Sequence, residues 1–196
     1  LVVGFDVDRT AFATVSAGDA SELGLKVGRE LDASAGAEIE RRAELFGVRA
    51  IALRMLSYRA LPSREIVRRL IRKGQNRPVA EAVVAALQAE GLVNDAEFAR
   101  HFTRTRATRR RHGPSRLEAD LRRLGVDDEV AATAVRETLD RDAIDPAVLL
   151  REAAERKLRA LAGVEPAVRQ RRLKAYLLRR GFAPADIVGF LRQLPG

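Results

Sequence analysis

The segment SREIVRRLIRKG, residues 63–74, places Ile66 and Leu70 four apart and Gly74 four further on. Apolar residues at that interval share one face of a helix, and a glycine just beyond the last of them closes it. The same pattern returns as Leu117, Leu121 and Gly125 in SRLEADLRRLG (115–125) and as Leu173, Leu177 and Gly181 in RRLKAYLLRRG (171–181). Most of what remains on the solvent side of each helix is arginine. The three glycines stand 51 and 56 residues apart, a period that marks a tandem array of one supersecondary unit.

Working outward, each copy has a helix before it and another after it. In the first, Ile51, Leu53, Met55 and Leu56 form a helix ending near Tyr58, Ser63 can cap the next, and Pro78 opens a third with Val79, Val83, Ala86 and Leu87 inward. In the second, Asn94 and Glu97 have the spacing of a capping box, and Phe98 and Phe102 fall on one helical face as core. Gly113-Pro114 then breaks the chain, and Asp127, Asp128 and Glu129 start a helix with Val130, Ala134, Val135 and Leu139 as its stripe. The third is looser, with Asp145-Pro146 and Pro184 opening its outer helices and Ile187, Phe190 and Leu191 packed inward.

Residues 2–15, VVGFDVDRTAFATV, differ from all of this, because Val3, Phe5 and Val7 alternate and Asp8-Arg9 can turn, as in a small β-hairpin. Such a hairpin needs a partner element to be stable. The segment DASELGLKVGREL (19–31) reads as a connecting turn or short helix, and residues 32–46 as an alanine-rich helix. The expected fold is therefore mainly α. It has three tandem three-helix, helix-turn-helix-like repeats in an elongated curved array, with a small N-terminal β-hairpin. The expected divisions are 1–47 for hairpin and connecting helix, then repeats over 48–93, 94–143 and 144–196.

An apolar fraction of 46% with 5% aromatics fits a globular chain rich in helix formers. No apolar run is long enough to span a membrane. The chain opens on Leu1 rather than Met, which leaves room for sequence upstream, and nothing within it reads as a targeting segment. It has no cysteine, which removes disulfides, thiolate metal sites and thiol nucleophiles and suits a reducing compartment. The cytoplasm is the expected location.

Of the net charge of +9, residues 1–49 contribute −3, with nine acids against six bases, so the helical array is the basic part. Seven bases and one acid lie between Arg59 and Arg77, nine and two between Arg100 and Arg123, and six and none between Arg169 and Arg180. Every cluster includes the second helix of a repeat, the footprint of a polyanionic partner. The bland alternative is three solvated faces whose arginine stems cover the core.

No phosphate-cradling GxxxxGK[ST], GxGxxG or nucleophile elbow is present. His101 and His112 lack a second ligand at helical spacing, so metal is not expected and both read as solvated or phosphate-facing. No cofactor is expected. Tyr58 and Tyr176, the only candidates for a stacking platform, are expected to pack.

Four motifs in order, ALRMLSYRALPSREIVRRLIRKG (52–74), EGLVNDAEFARHF (90–102), GPSRLEADLRRLGVDDE (113–129) and YLLRRGF (176–182), make the chain resemble the RecX family of regulators of the RecA recombinase. The match covers about residues 48–194. Asn94 stands where the family usually has aspartate, and GVDDE lacks the common isoleucine. The resemblance implies a non-enzymatic modulator that lies in the groove of the RecA filament and inhibits ATP hydrolysis, strand exchange and the co-protease activity of the SOS response; apart from the resemblance, a monomer is expected. The residues expected to meet filament or DNA are chosen from charge alone. They are Arg68, Arg69, Arg72 and Lys73; Arg109, Arg110, Arg111, Arg116, Arg122 and Arg123; and Arg171, Arg172, Lys174, Arg179 and Arg180. The rival reading is a stand-alone helix-turn-helix-type DNA-binding protein, which predicts steep salt dependence without any recombinase.

Overall fold

The computed structural model describes residues 2–7, 10–26 and 28–194, with side chains from residue 12 onward. The expected Asp8-Arg9 turn lies outside the described residues, as do Val27, Pro195 and Gly196. The fold is mainly α and the chain forms two compact units, Leu1–Val93 and Asn94–Gly196.

In the first unit, β1 (Val2–Val7) pairs antiparallel with β2 (Thr10–Ser16), and the register shifts between Phe5 and Asp6. A bulge of this kind bends and twists a ribbon. The partner the hairpin requires is the start of α2 (Ala33–Tyr58): Val15 of β2, Ala20 of α1 (Ala17–Glu22) and Ile39 of α2 are buried together. Arg42 of α2 ties α1 down, reaching Asp19 at 2.8 Å and Glu22 at 2.7 Å while also holding Glu38 at 2.9 Å. The expected connecting helix and the first helix of the array are one continuous helix of 26 residues. Nothing in residues 44–50, ELFGVRA, breaks a helix, because the lone Gly47 lowers propensity without providing a stop.

α3 (Ser63–Arg72) and α4 (Arg77–Ala89) complete the first core with the second half of α2, around Val48, Ala52, Ile66, Leu70, Val83 and Leu87. Ser63 is the first residue of α3, and Pro62 takes the cap position expected of it. In α4 the buried stripe is Ala80, Val83, Val84 and Leu87, so Ala86 faces out and Val79 is half-buried.

The second unit contains α5 (Asp95–Arg110), α6 (Pro114–Leu124), α7 (Asp128–Arg141), α8 (Pro146–Arg159), α9 (Pro166–Arg179) and α10 (Pro184–Arg192) around one continuous core. Asn94 caps α5 by accepting from the Glu97 amide at 2.9 Å, and Asp145 caps α8 in the same way from Ala147 at 2.8 Å. Phe98 and Phe102 do stack, with centroids 6.2 Å apart, but they are only partly buried. The wholly buried stripe of α5 is Ala99, Thr103 and Ala107. Small residues there let α5 lie close against Ala131, Ala134, Val135 and Thr138 of α7.

The repeat itself is reproduced down to its hydrogen bonds. Ile66 and Leu70, Leu117 and Leu121, and Leu173 and Leu177 are fully buried. Past each helix end an amide reaches back five residues, from Gln75 to Leu70, Val126 to Leu121 and Phe182 to Leu177, at 3.1, 3.1 and 3.3 Å. This is the Schellman closure, and the glycines at its turn, Gly74, Gly125 and Gly181, have φ of 84°, 99° and 81°.

Candidate functional site

With two apolar residues of each second helix pinned inward, the helical period of 3.6 turns their arginine neighbours outward. Arg69, Arg72, Arg122, Arg123 and Arg179 lie in the last turn of their helices, where a cation meets the negative end of the helix dipole, a structural reason for them independent of any ligand. The fifteen basic residues singled out from charge therefore divide by what holds them.

On α3, Glu65 collects three guanidiniums: Arg69 at 2.6 Å, Arg68 at 2.9 Å and Arg72 at 3.7 Å. Burial alone would raise the Glu65 carboxyl, and the Arg69 hydrogen bond with the charges of Arg68, Arg69 and Arg72 overcomes it, leaving the group below its ordinary value. Lys73 stays exposed. Arg69 and Lys73 share a cleft of about 660 Å³ with Arg54, Tyr58 and Arg59, floored by Ile51 and Met55. Arg68 and Arg72 line another cleft, with Arg77 and Ile71.

On α6, Asp120 is 6% exposed. Arg116 and Arg123 each hold it at 3.0 Å. Arg122 stands 3.9 Å from Glu118 and 3.8 Å from Asp128. Arg111, in the left-handed conformation that ends α5, pairs with Glu152 of α8 at 2.6 Å. Arg109 and Arg110 are exposed at the end of α5.

In the third repeat Arg171, Arg172, Lys174 and Arg179 are exposed on α9. Arg171 and Lys174 face Arg192 across a cleft of about 380 Å³ between α9 and α10. Arg180 is different. Its guanidinium lies over the Tyr176 ring at 4.9 Å and donates to the Arg110 carbonyl, while its own carbonyl accepts from the Gly113 amide at 2.8 Å. It is a fastening between the second and third repeats.

That fastening also buries His112, expected to be solvated: its side chain is 13% exposed. Desolvation first, then the charge of Arg180, depress its pKa to about 4, against the pull of Asp120 at 3.7 Å. Tyr176 packs as expected, with Lys157 and Arg180 over its ring. Tyr58 does not, being 83% exposed. Its position carried that signal: counting roughly 100° per residue from buried Ala52, it falls about 240° round the helix, off the core face. Asp120 carried a weaker one, since a carboxylate flanked at three and four residues by arginines invites pairing.

Three family models match the chain in order: the first three-helix domain of RecX over residues 49–87, the second over 94–135 and the third over 147–191. The regulatory protein RecX of Amycolatopsis mediterranei (strain U-32) is 38% identical over 132 residues, covering 67% of this chain and 74% of that protein. That of Pelodictyon phaeoclathratiforme (strain DSM 5477 / BU-1) is 31% identical over 148 residues, covering 76% and 89%. The chain belongs to the RecX family. A crystal structure of a regulatory protein RecX shares the RecX fold at a TM-score of 0.82, with 19% identity, covering 98% of this chain and 93% of the other. RecX from Lactobacillus salivarius superposes with a TM-score of 0.66 at 22% identity, covering 77% and 96%. Among the described residues no helix is long and apolar enough to cross a membrane.

Proposed function

We propose that this protein is a negative regulator of the RecA recombinase, binding the RecA–DNA filament along its groove and inhibiting ATP hydrolysis, strand exchange and SOS co-protease activity. One observation carries the reading. The second helix of each of three repeats is anchored by the same pair of buried apolar residues, so each presents its basic side to solvent in the same register. A repeated cationic face suits a partner that is itself repetitive and polyanionic, and several weak contacts to one filament combine through effective concentration.

In this reading the binding modules are the repeats 48–93, 94–143 and 144–196. Lys73, Arg109, Arg110, Arg171, Arg172, Lys174 and Arg179 make the first contacts, because all are exposed and none forms a salt bridge among the described residues, Arg171 acting on Glu165 only through its charge. Arg68, Arg69, Arg72, Arg111, Arg116, Arg122, Arg123 and Arg180 contribute charge while also holding the fold. The protein acts as a monomer in the cytoplasm and performs no catalysis.

The test is RecA ATP hydrolysis on single-stranded DNA, titrated with this protein at fixed moderate salt beside its own affinity for the same DNA. Inhibition at concentrations well below those that coat free DNA is the expected result. Inhibition only once the DNA is saturated favours the second reading, a stand-alone DNA binder, which the cluster of Arg171, Lys174 and Arg192 around one cleft supports.

A further inference from the structure

The cleft at the end of α2 combines features that the basic-stripe reading leaves unused. Tyr58, the last residue of that helix, presents its ring to solvent, although an aromatic side chain ordinarily recovers its apolar area by packing. Around it stand Arg54, Arg59 and Lys73, all exposed and none with a carboxylate partner among the described residues. Arg69 forms one wall, oriented by Glu65 at 2.6 Å, and Ile51 and Met55 form an apolar floor. At about 660 Å³ the cleft lies within the ~300–1,000 Å³ range of sites that enclose a small ligand or one unit of a polymer.

We propose that this cleft is a subsite for single-stranded nucleic acid, in which Tyr58 stacks one unpaired base and Arg54, Arg59 and Lys73 hold the flanking phosphates. A solvent-facing ring beside backbone-neutralising cations is the arrangement that binds single strands without reading sequence. A duplex offers no free base face, since its bases are already stacked and show only their edges in the grooves. An acidic peptide would use the cations but leave the ring and the floor without a role. The C-terminal end of α2 contributes about half a negative charge, which three full positive charges outweigh. The inference rests on the reading that the partner carries DNA, but its ligand chemistry stands on this cleft alone.

The chain has two tyrosines and no tryptophan, so Tyr176→Phe leaves Tyr58 as the sole fluorophore while keeping the ring that Lys157 and Arg180 cover. This protein is titrated with a twelve-nucleotide oligothymidylate, with its duplex, with inorganic polyphosphate and with polyglutamate, following Tyr58 emission and binding together. Quenching by the oligonucleotide alone is expected. Adding Tyr58→Ala should weaken single-strand binding roughly five-fold to a hundred-fold and leave polyphosphate binding within about two-fold. Binding of the oligonucleotide without quenching, equal dependence on Tyr58 for the duplex, or a Tyr58-dependent preference for polyglutamate would each overturn the proposal.

The recombinase assay separates this inference from the one beneath it. If the protein inhibits RecA and Tyr58 has no part in single-strand binding, the subsite is wrong and the filament reading stands. If single-strand binding needs Tyr58 and RecA is unaffected, the filament reading fails and the subsite stands.

Discussion

Asp120 is a carboxylate buried on α6 and bridged by Arg116 and Arg123, each at 3.0 Å. A buried charge left without its partners costs far more than the pair itself contributes. Asp120→Asn preserves shape and removes the charge, and is expected to lower stability by about 1–3 kcal/mol, read as a lower urea midpoint. Arg123→Ala, on a side chain 74% exposed, is expected to cost less than about 1 kcal/mol. Midpoints that move equally would mean that Asp120 does not depend on its setting. Reversing Arg123 to an acid would set two carboxylates together, so a loss of filament binding in that variant would mix with a loss of fold; Arg109 and Arg110 make the cleaner site for reversal. His112 supplies a pH signature. Its folded pKa of about 4 lies below the ordinary 6.5, so between those values the unfolded chain binds more protons and stability falls as pH falls. From pH 7 to 4.5 the native protein should lose roughly 2 kcal/mol more than His112→Gln does, measured by denaturant unfolding at each pH. A variant with the same slope as the native protein would show that the imidazole is not desolvated.

At the level of elements, the two junctions that follow α5 and α9 touch backbone to backbone. A Cβ on Gly181 would lie 2.7 Å from the Arg116 Cα, and one on Gly113 would lie 2.7 Å from the Gly181 carbonyl carbon. Gly181 and Gly74 have nearly the same positive φ, 81° and 84°, but nothing lies within 4 Å of a Cβ at Gly74. Alanine at Gly74 should therefore cost only the left-handed conformation, about 1–2 kcal/mol. Alanine at Gly181 should cost more than about 3 kcal/mol, and thermal unfolding of the two variants isolates the close approach. This contrast also marks what the sequence could disclose. The buried pairs Ile66–Leu70, Leu117–Leu121 and Leu173–Leu177, with their glycine stops, were legible because helix periodicity and caps are local. The role of Gly113 was hidden, since its partner is 68 residues away and its local reading, a break before Pro114, was already sufficient. Arg180 was read as a free cation for the same reason: charge is visible in a sequence, whereas the Arg110 carbonyl that engages it is not. The long α2 runs through a change from polar to apolar composition that resembles a boundary, because helices end on caps and breakers and composition alone supplies neither.

For the whole molecule, the question is whether the repeats act together. If each presents an independent cationic contact to one continuous partner, the binding free energies add and the losses on mutation multiply. Arg109→Glu with Arg110→Glu alters the second repeat, and Arg171→Glu with Lys174→Glu alters the third. All four side chains are exposed and none forms a salt bridge among the described residues, so helical content should be unchanged in either variant. Each pair removes two cations and adds two anions opposite phosphate, and is expected to raise the half-inhibitory concentration for RecA ATP hydrolysis at least about five-fold at moderate salt. The quadruple variant should show roughly the product of the two factors, and the differences should narrow as salt is raised and screening shortens the reach of the charges. A quadruple variant no weaker than one of its parents would place the grip in a single repeat. The other repeats would then serve the core alone, and their arginines would be explained by helix dipoles and covered apolar surface.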